Sequence, residues 1–130
     1  MAPMSEPSLS LRSAMLTAID ALVSCDVYDA VPQNATYPYV TFDYETIGNE
    51  DYLGGFRMER RFVYLGVWSR TTGAEEVLSI MSQLDALNEQ PLTLSTGDMV
   101  SLRVERKRTV REPDNLTYQG QITLRIITTH

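Results

Sequence analysis

From Arg60 to Ser69 the chain reads Arg-Arg-Phe-Val-Tyr-Leu-Gly-Val-Trp-Ser, with large apolar side chains on successive rather than alternate positions. Successive residues of a strand point to opposite faces, so such a run is stable only where both faces are covered. It predicts the central strand of a sheet, and the flanking sequence must supply the layers around it.

Two amphipathic helices are expected. Over Leu9 to Val23 the residues Leu11, Ala14, Met15, Ala18 and Leu22 recur at three- and four-residue spacing, with Ser8 as the N-cap. After the central strand, Thr72-Gly73-Ala74-Glu75 has capping-box spacing. Val77, Leu78, Met81, Leu84 and Leu87 form the stripe of a second helix that Asn88 and Pro91 end. Tyr39 to Ile47 alternates, with Val40, Phe42 and Tyr44 on one face and Thr41, Asp43 and Glu45 on the other. Met99 to Val110 and Thr117 to Thr128 flank the turn chemistry of Pro113-Asp114-Asn115 and read as a long hairpin, with Ile122, Leu124 and Ile126 facing inward.

Between the first helix and the first long strand lies Val27-Tyr28, a short strand, followed by two proline-bearing segments. Pro32 and Pro38 fix their own φ and push Val31 and Tyr37 toward extended backbone, so the chain cannot continue as helix. With a turn at Gln33-Asn34-Ala35-Thr36, the segment is a rigid corner delivering Tyr39 into a strand. The fold class is α+β: a two-layer sandwich, about four mainly antiparallel strands with two helices on one face and the long C-terminal hairpin. A length of 130 residues suits one domain, here residues 8–130 behind a flexible tail of residues 1–7.

A net charge of −6 argues against a general nucleic-acid binder. The charge is also segregated. Arg12 is the one basic residue before Tyr52, whereas Arg103, Arg106, Lys107, Arg108 and Arg111 crowd one late segment. The single cysteine, Cys25, is expected as a small buried hydrophobe. The start has neither a basic nor an apolar targeting region, and no apolar run is long enough to span a membrane.

Two features exceed the needs of a lone two-layer domain. With both helices on one face, either Val63, Leu65 and Val67 or their alternates Phe62, Tyr64 and Trp68 are left against water unless a loop or a neighbouring copy covers them. In the hairpin, the apolar face of Val100, Leu102 and Val104 continues as Arg106 and Arg108, so the strand reads as an arm running past the core. An arginine-rich arm suits bidentate contact with carboxylates, and the acidic loop residues Glu50 and Asp51, with Tyr52, are the matching candidates.

Catalytic apparatus is not expected. His130 and Cys25 are far apart in sequence, no Gly-x-Ser-x-Gly elbow occurs, and Gly54-Gly55 lacks a phosphate-loop lysine. No cofactor or metal is called for.

In order along the chain, Val27-Tyr28, Val31-Pro32, Tyr37-Pro38-Tyr39-Val40, Val67-Trp68-Ser69-Arg70 and the final hairpin resemble the tail terminator, or tail-completion, family of long-tailed bacteriophages and gene transfer agents. The resemblance runs from about Leu11 to Thr128. It implies a structural virion protein at the tail-neck junction, assembled in the host cytoplasm. There a hexameric ring would cap the tail tube, stop its polymerisation and join the head connector or neck protein, with genomic DNA passing through the lumen. It assigns no catalytic residues. Tyr28, Pro32, Pro38, Tyr39 and Trp68 carry the family's structural motif; Arg103, Arg106, Lys107, Arg108 and Arg111 are expected as subunit or tube contacts from the charge pattern, not from the resemblance. The alternatives are a neck or head-tail adaptor of the same particle, and a small ligand-binding or enzyme domain with a pocket around Trp68 and Tyr64.

Overall fold

The computed structural model describes residues 6–49, 57–70, 73–114 and 116–130. The chain runs α1 (Ser8–Leu22), β1 (Asp26–Tyr28), β2 (Tyr39–Asn49), β3 (Met58–Ser69), α2 (Glu75–Leu84), a 3-10 turn (Asp85–Leu87), β4 (Asp98–Arg111) and β5 (Tyr118–Thr129). The strands form one five-stranded sheet in the order β1-β2-β3-β5-β4, so the doubly apolar run is the middle strand. The sheet has one strand more than the four expected, because β1 pairs in parallel with β2, Asp26 opposite Tyr39. That pairing explains the proline corner: residues 29–38 must carry the chain back so that β2 begins beside the start of β1. The Tyr37–Pro38 bond within it is cis.

The core lies between the sheet and both helices. Val40, Phe42, Val63, Leu65, Val67, Leu102, Ile122, Leu124 and Ile126 from the sheet meet Leu11, Met15 and Ile19 of α1 and Val77, Ile80, Met81 and Leu84 of α2. Each such side chain contributes roughly 1.5–3 kcal/mol by leaving water. Gly120 sets how low α2 can sit: a Cβ there would lie 2.5 Å from Met81 Sδ and 3.0 Å from Val77 Cγ2. Cys25 is only partly buried, at the margin of this cluster.

Three irregularities redirect side chains. The registers shift at Asp43 in β2 and at Val100 and Glu105 in β4, each inserting one residue opposite a regular partner strand. One extra residue exchanges the two faces of everything beyond it. Tyr44 therefore does not continue the inward face of Val40 and Phe42: it points away from the helices and is 56% exposed, while Glu45 turns inward. Val100 likewise is out of the core, at 57% exposure. Beyond Glu105, Arg106 and Arg108 lie opposite Thr123 and Gln121 on the helix-free face, and Lys107 opposite Ile122 on the helix side, the reverse of the strict alternation. Nor is β4 an arm: it is paired with β5 as far as Arg111 opposite Tyr118.

Helix ends differ in detail from expectation. Pro7 rather than Ser8 precedes α1, and Ala74 precedes α2, neither making a side-chain cap. Glu75 is thus too early for a capping box, and Thr72 lies outside the described residues. Leu78, expected in the α2 stripe, is exposed, and Ile80 takes the core position. Asp114 holds the β4–β5 turn by accepting the Leu116 and Thr117 N–H groups at 2.8 and 2.9 Å, and these bonds keep its carboxyl below the usual range.

Arg61 enters the core as a charge. Its side chain is fully buried on the helix side of β3, and its guanidinium donates to Thr128 Oγ1 at 3.1 Å, Ser8 Oγ at 2.7 Å and Glu59 Oε1 at 3.0 Å, and to Glu6. Glu45 Oε2 lies 3.6 Å away. The cation therefore ties α1, β2, β3 and β5 together, and such a charge is tolerated only with this many partners. Burial raises the Glu6 carboxyl, but hydrogen bonds from Ser8 and Arg61 outweigh it and hold it below the ordinary value. This link therefore stabilises the fold above the ordinary glutamate range and is lost as pH falls through the lowered value.

Two substitutions test this description. Gly120→Ala is expected to cost ~1–3 kcal/mol by pushing Met81 and Val77 off the sheet, read as a lower urea midpoint at unchanged slope. Arg61→Met is expected to cost ~3–5 kcal/mol at neutral pH. Its deficit should narrow on acidification, because neutralising the carboxylates removes the uncompensated charge; a constant deficit across pH would contradict the ionic role.

Candidate interaction surface

Helices cover one face of the sheet; the other presents a row of aromatic and arginine side chains. Alternation along β3 puts Phe62, Tyr64 and Trp68 on this second face, so they are the members of the doubly apolar run that the helices leave uncovered. Tyr44, turned outward by the Asp43 bulge, stacks on Tyr64 with ring centroids 4.2 Å apart and planes at 17°. Trp68 Nε1 donates to Thr41 Oγ1 at 3.1 Å, which in turn donates to Asp43 Oδ1 at 2.6 Å. These three side chains close over Gly66, where a Cβ would lie 2.8 to 3.0 Å from each of them. The ring is therefore fixed in place, and Tyr and Trp held rigidly at low entropic cost are favoured contact residues.

Arginines flank the aromatics. The register places Arg60, Arg125, Arg103, Arg106 and Arg108 on the same face, and all are exposed. Asp26 shares this face at the opposite side of the sheet, since it lies beside Tyr39, which is opposite Trp68. Charge thus runs from acidic at β1 and β2 to basic at β4.

Of the residues singled out in the sequence, the structure brings Arg103, Arg106, Arg108, Tyr28, Tyr39, Tyr64 and Trp68 onto this face. Lys107 and Arg111 point to the helix side, where Lys107 Nζ meets Asp85 Oδ1 at 2.9 Å and Arg111 lies over Tyr118 at 5.6 Å. Tyr28 and Tyr39 pack edge to face at 5.7 Å, Tyr37 joins Tyr39 at 5.1 Å, and Arg70 lies 4.9 Å over Tyr37. This aromatic corner is built around Pro38, with Pro32 in the exposed bend before it. Glu50, Asp51 and Tyr52 lie outside the described residues. Arg60 and Arg125 were missed, although alternation with Phe62 and with Leu124 already places them opposite the core.

The cavity beside Tyr44 and Tyr64, bordered by Asp43, Arg106 and Arg108, is about 150 Å³. Small-molecule sites typically run from about 300 Å³ upward, so this hollow fits a side chain better than a metabolite. Among the described residues no cluster of His, Cys, Asp or Glu is arranged to hold a metal ion, and no helix is long and apolar enough to cross a membrane.

A search of curated proteins finds no match to the sequence. Among solved structures, a chain in the "Virion of native gene transfer agent (GTA) particle" has the same fold, with a TM-score of 0.83 at 21% identity over 95% of this chain and 98% of that one. The family model described as Tail completion protein gp17 matches residues 10–129, from within α1 to the end of β5. With the match spanning nearly every element of the fold, the chain belongs to the tail completion protein gp17 family, the structural proteins of virion tails.

Proposed function

We propose that this chain forms a hexameric ring that caps the tail tube, ends its polymerisation and offers a joining surface to the head connector. It works by binding rather than by catalysis. The observation that carries this reading is the helix-free face: fixed aromatics flanked by arginines, on a chain whose opposite face already holds a complete core. Rigidly held, half-buried aromatics beside arginines are the residue types favoured at protein contacts. A single domain over residues 8–130 is sufficient for the role, with tube protein and connector as coaxial partners and genomic DNA passing through without sequence-specific contact. The net charge of −6 favours such passage, because like charge shortens the residence of DNA against the protein.

Replacing Arg103, Arg106 and Arg108 by glutamate tests the reading. The variant is expected to keep the circular dichroism spectrum of the parent and to lose no more than ~1 kcal/mol of stability, since all three side chains are outside the core and the Arg103–Glu89 ion pair that is lost is exposed. Its binding to purified tail tubes should fall at least about thirtyfold, the equivalent of losing one desolvated charge pair. Capping at parental concentration would contradict the assignment of this face, and capture by head particles but not tubes would move the protein to the neck.

A further inference from the structure

We infer that neighbouring copies join through the two open edges of the sheet, β4 of one copy against β1 of the next. This deepens the ring reading and rests on it. The sheet order leaves β1 and β4 as the outer strands, with no strand on the far side of either among the described residues. The outer side of β4 is only partly guarded. Near its start Glu89, in a left-handed conformation at φ 63°, donates its N–H to Leu102 O at 2.8 Å, and Asn88 Oδ1 accepts the Val104 N–H at 2.9 Å. Past the bulge at Glu105 the stretch from Arg106 to Arg111 runs in regular register with β5 and presents its other side outward. Unpaired strand edges of this kind are templates for another strand.

The charges on the two edges specify which pairing forms. Arg106, Arg108 and Arg111 lie on β4, whereas β1 opens with exposed Asp26. Lys107 and Asp29 are already paired within the copy, with Asp85 and Arg12 at 2.9 Å each. Lysine and arginine on an edge ordinarily protect it from pairing, and same-sign charge on both edges would repel every approach. Opposite signs act differently. They disfavour β4 against β4 and β1 against β1, and favour β4 against β1. Five strands at ~4.8 Å spacing hold the edges ~19 Å apart, beyond the ~8 Å screening length of physiological salt. The two charges therefore do not neutralise one another within a copy. A contact between two different surfaces of identical chains is heterologous, and it builds either a closed ring or an open filament. Edge pairing also leaves the aromatic face free for the tube.

Disulfide trapping tests the inference. Asp26, Arg106, Arg108 and Val110 all point to the helix-free side, and residues directly opposite on paired strands bring their Cβ atoms to ~4.5–5.5 Å, close to disulfide reach. In a Cys25→Ser background, Asp26→Cys is combined in turn with Arg106→Cys, Arg108→Cys and Val110→Cys, and the protein is oxidised both free at high concentration and on purified tubes, so that loss of the Arg106 or Arg108 tube contact does not mask the edge contact. A ladder of covalent multimers ending in a closed species is expected in at least one register. As a charge test without cysteines, scored by native mass in the absence of tubes so that the tube contact of Arg108 does not enter, Arg108→Asp and Asp26→Lys should each raise the concentration needed for ring closure about tenfold, and the two together should restore it. Closed rings by native mass with no ladder in any register and no restoration would overturn the edge contact while leaving the ring standing. Absence of any closed species, even on tubes, would overturn both.

Discussion

The architecture depends on where the strands lose their register. A single inserted residue, Asp43, turns Glu45 inward to Arg61 and Tyr44 outward onto Tyr64. Without it, strict alternation would put the tyrosine in the core and leave the buried guanidinium short of a carboxylate. Taking a cation out of water costs several kcal/mol even after relaxation, so its tolerance at full burial requires this set of partners. Core electrostatics and surface composition are thereby coupled through one bulge. The insertion at Glu105 is the counterpart on β4, sending Arg106 and Arg108 to the aromatic side instead of over the core.

The remaining constraint is the one-sided helix layer. Gly120 lets α2 settle onto β5, and the two helices fill the space above the sheet. Nothing equivalent covers Phe62, Tyr64 and Trp68 on the other side among the described residues. The chain therefore has a complete core and an incomplete second face, which suits a part whose last layer is another molecule. Membership of the tail-completion family is consistent with that division.

Much of this was legible in the sequence because it follows from period and composition. The doubly apolar stretch around Val63, Leu65 and Val67 identified the central strand, and the helical spacing of Leu11 and Met15 or of Val77, Met81 and Leu84 identified the covering layer. The bulges were not legible: Asp43 and Glu105 are ordinary polar residues on a strand, and nothing local signals that a partner strand skips them. Every face assignment beyond them was consequently inverted, which is why Tyr44, Arg106 and Arg108 were expected on the wrong side. The parallel pairing of β1 was hidden for a related reason, since strand order depends on long-range contacts. Nothing in the sequence marks Arg61 for burial, and only the fold shows Glu6, Glu45 and Glu59 converging on it.

Hydroxyl-radical footprinting, read residue by residue by mass spectrometry on the free chain and on the chain assembled into tails, addresses the helix-free face directly. Tyr44, Tyr64 and Phe62 should be oxidised in the free protein and protected several-fold in the tail, while exposed Leu78 on the helix side keeps its reactivity. Equal oxidation of Tyr44, Tyr64 and Phe62 in both states would show that assembly leaves this face in water, contradicting its role as the docking surface.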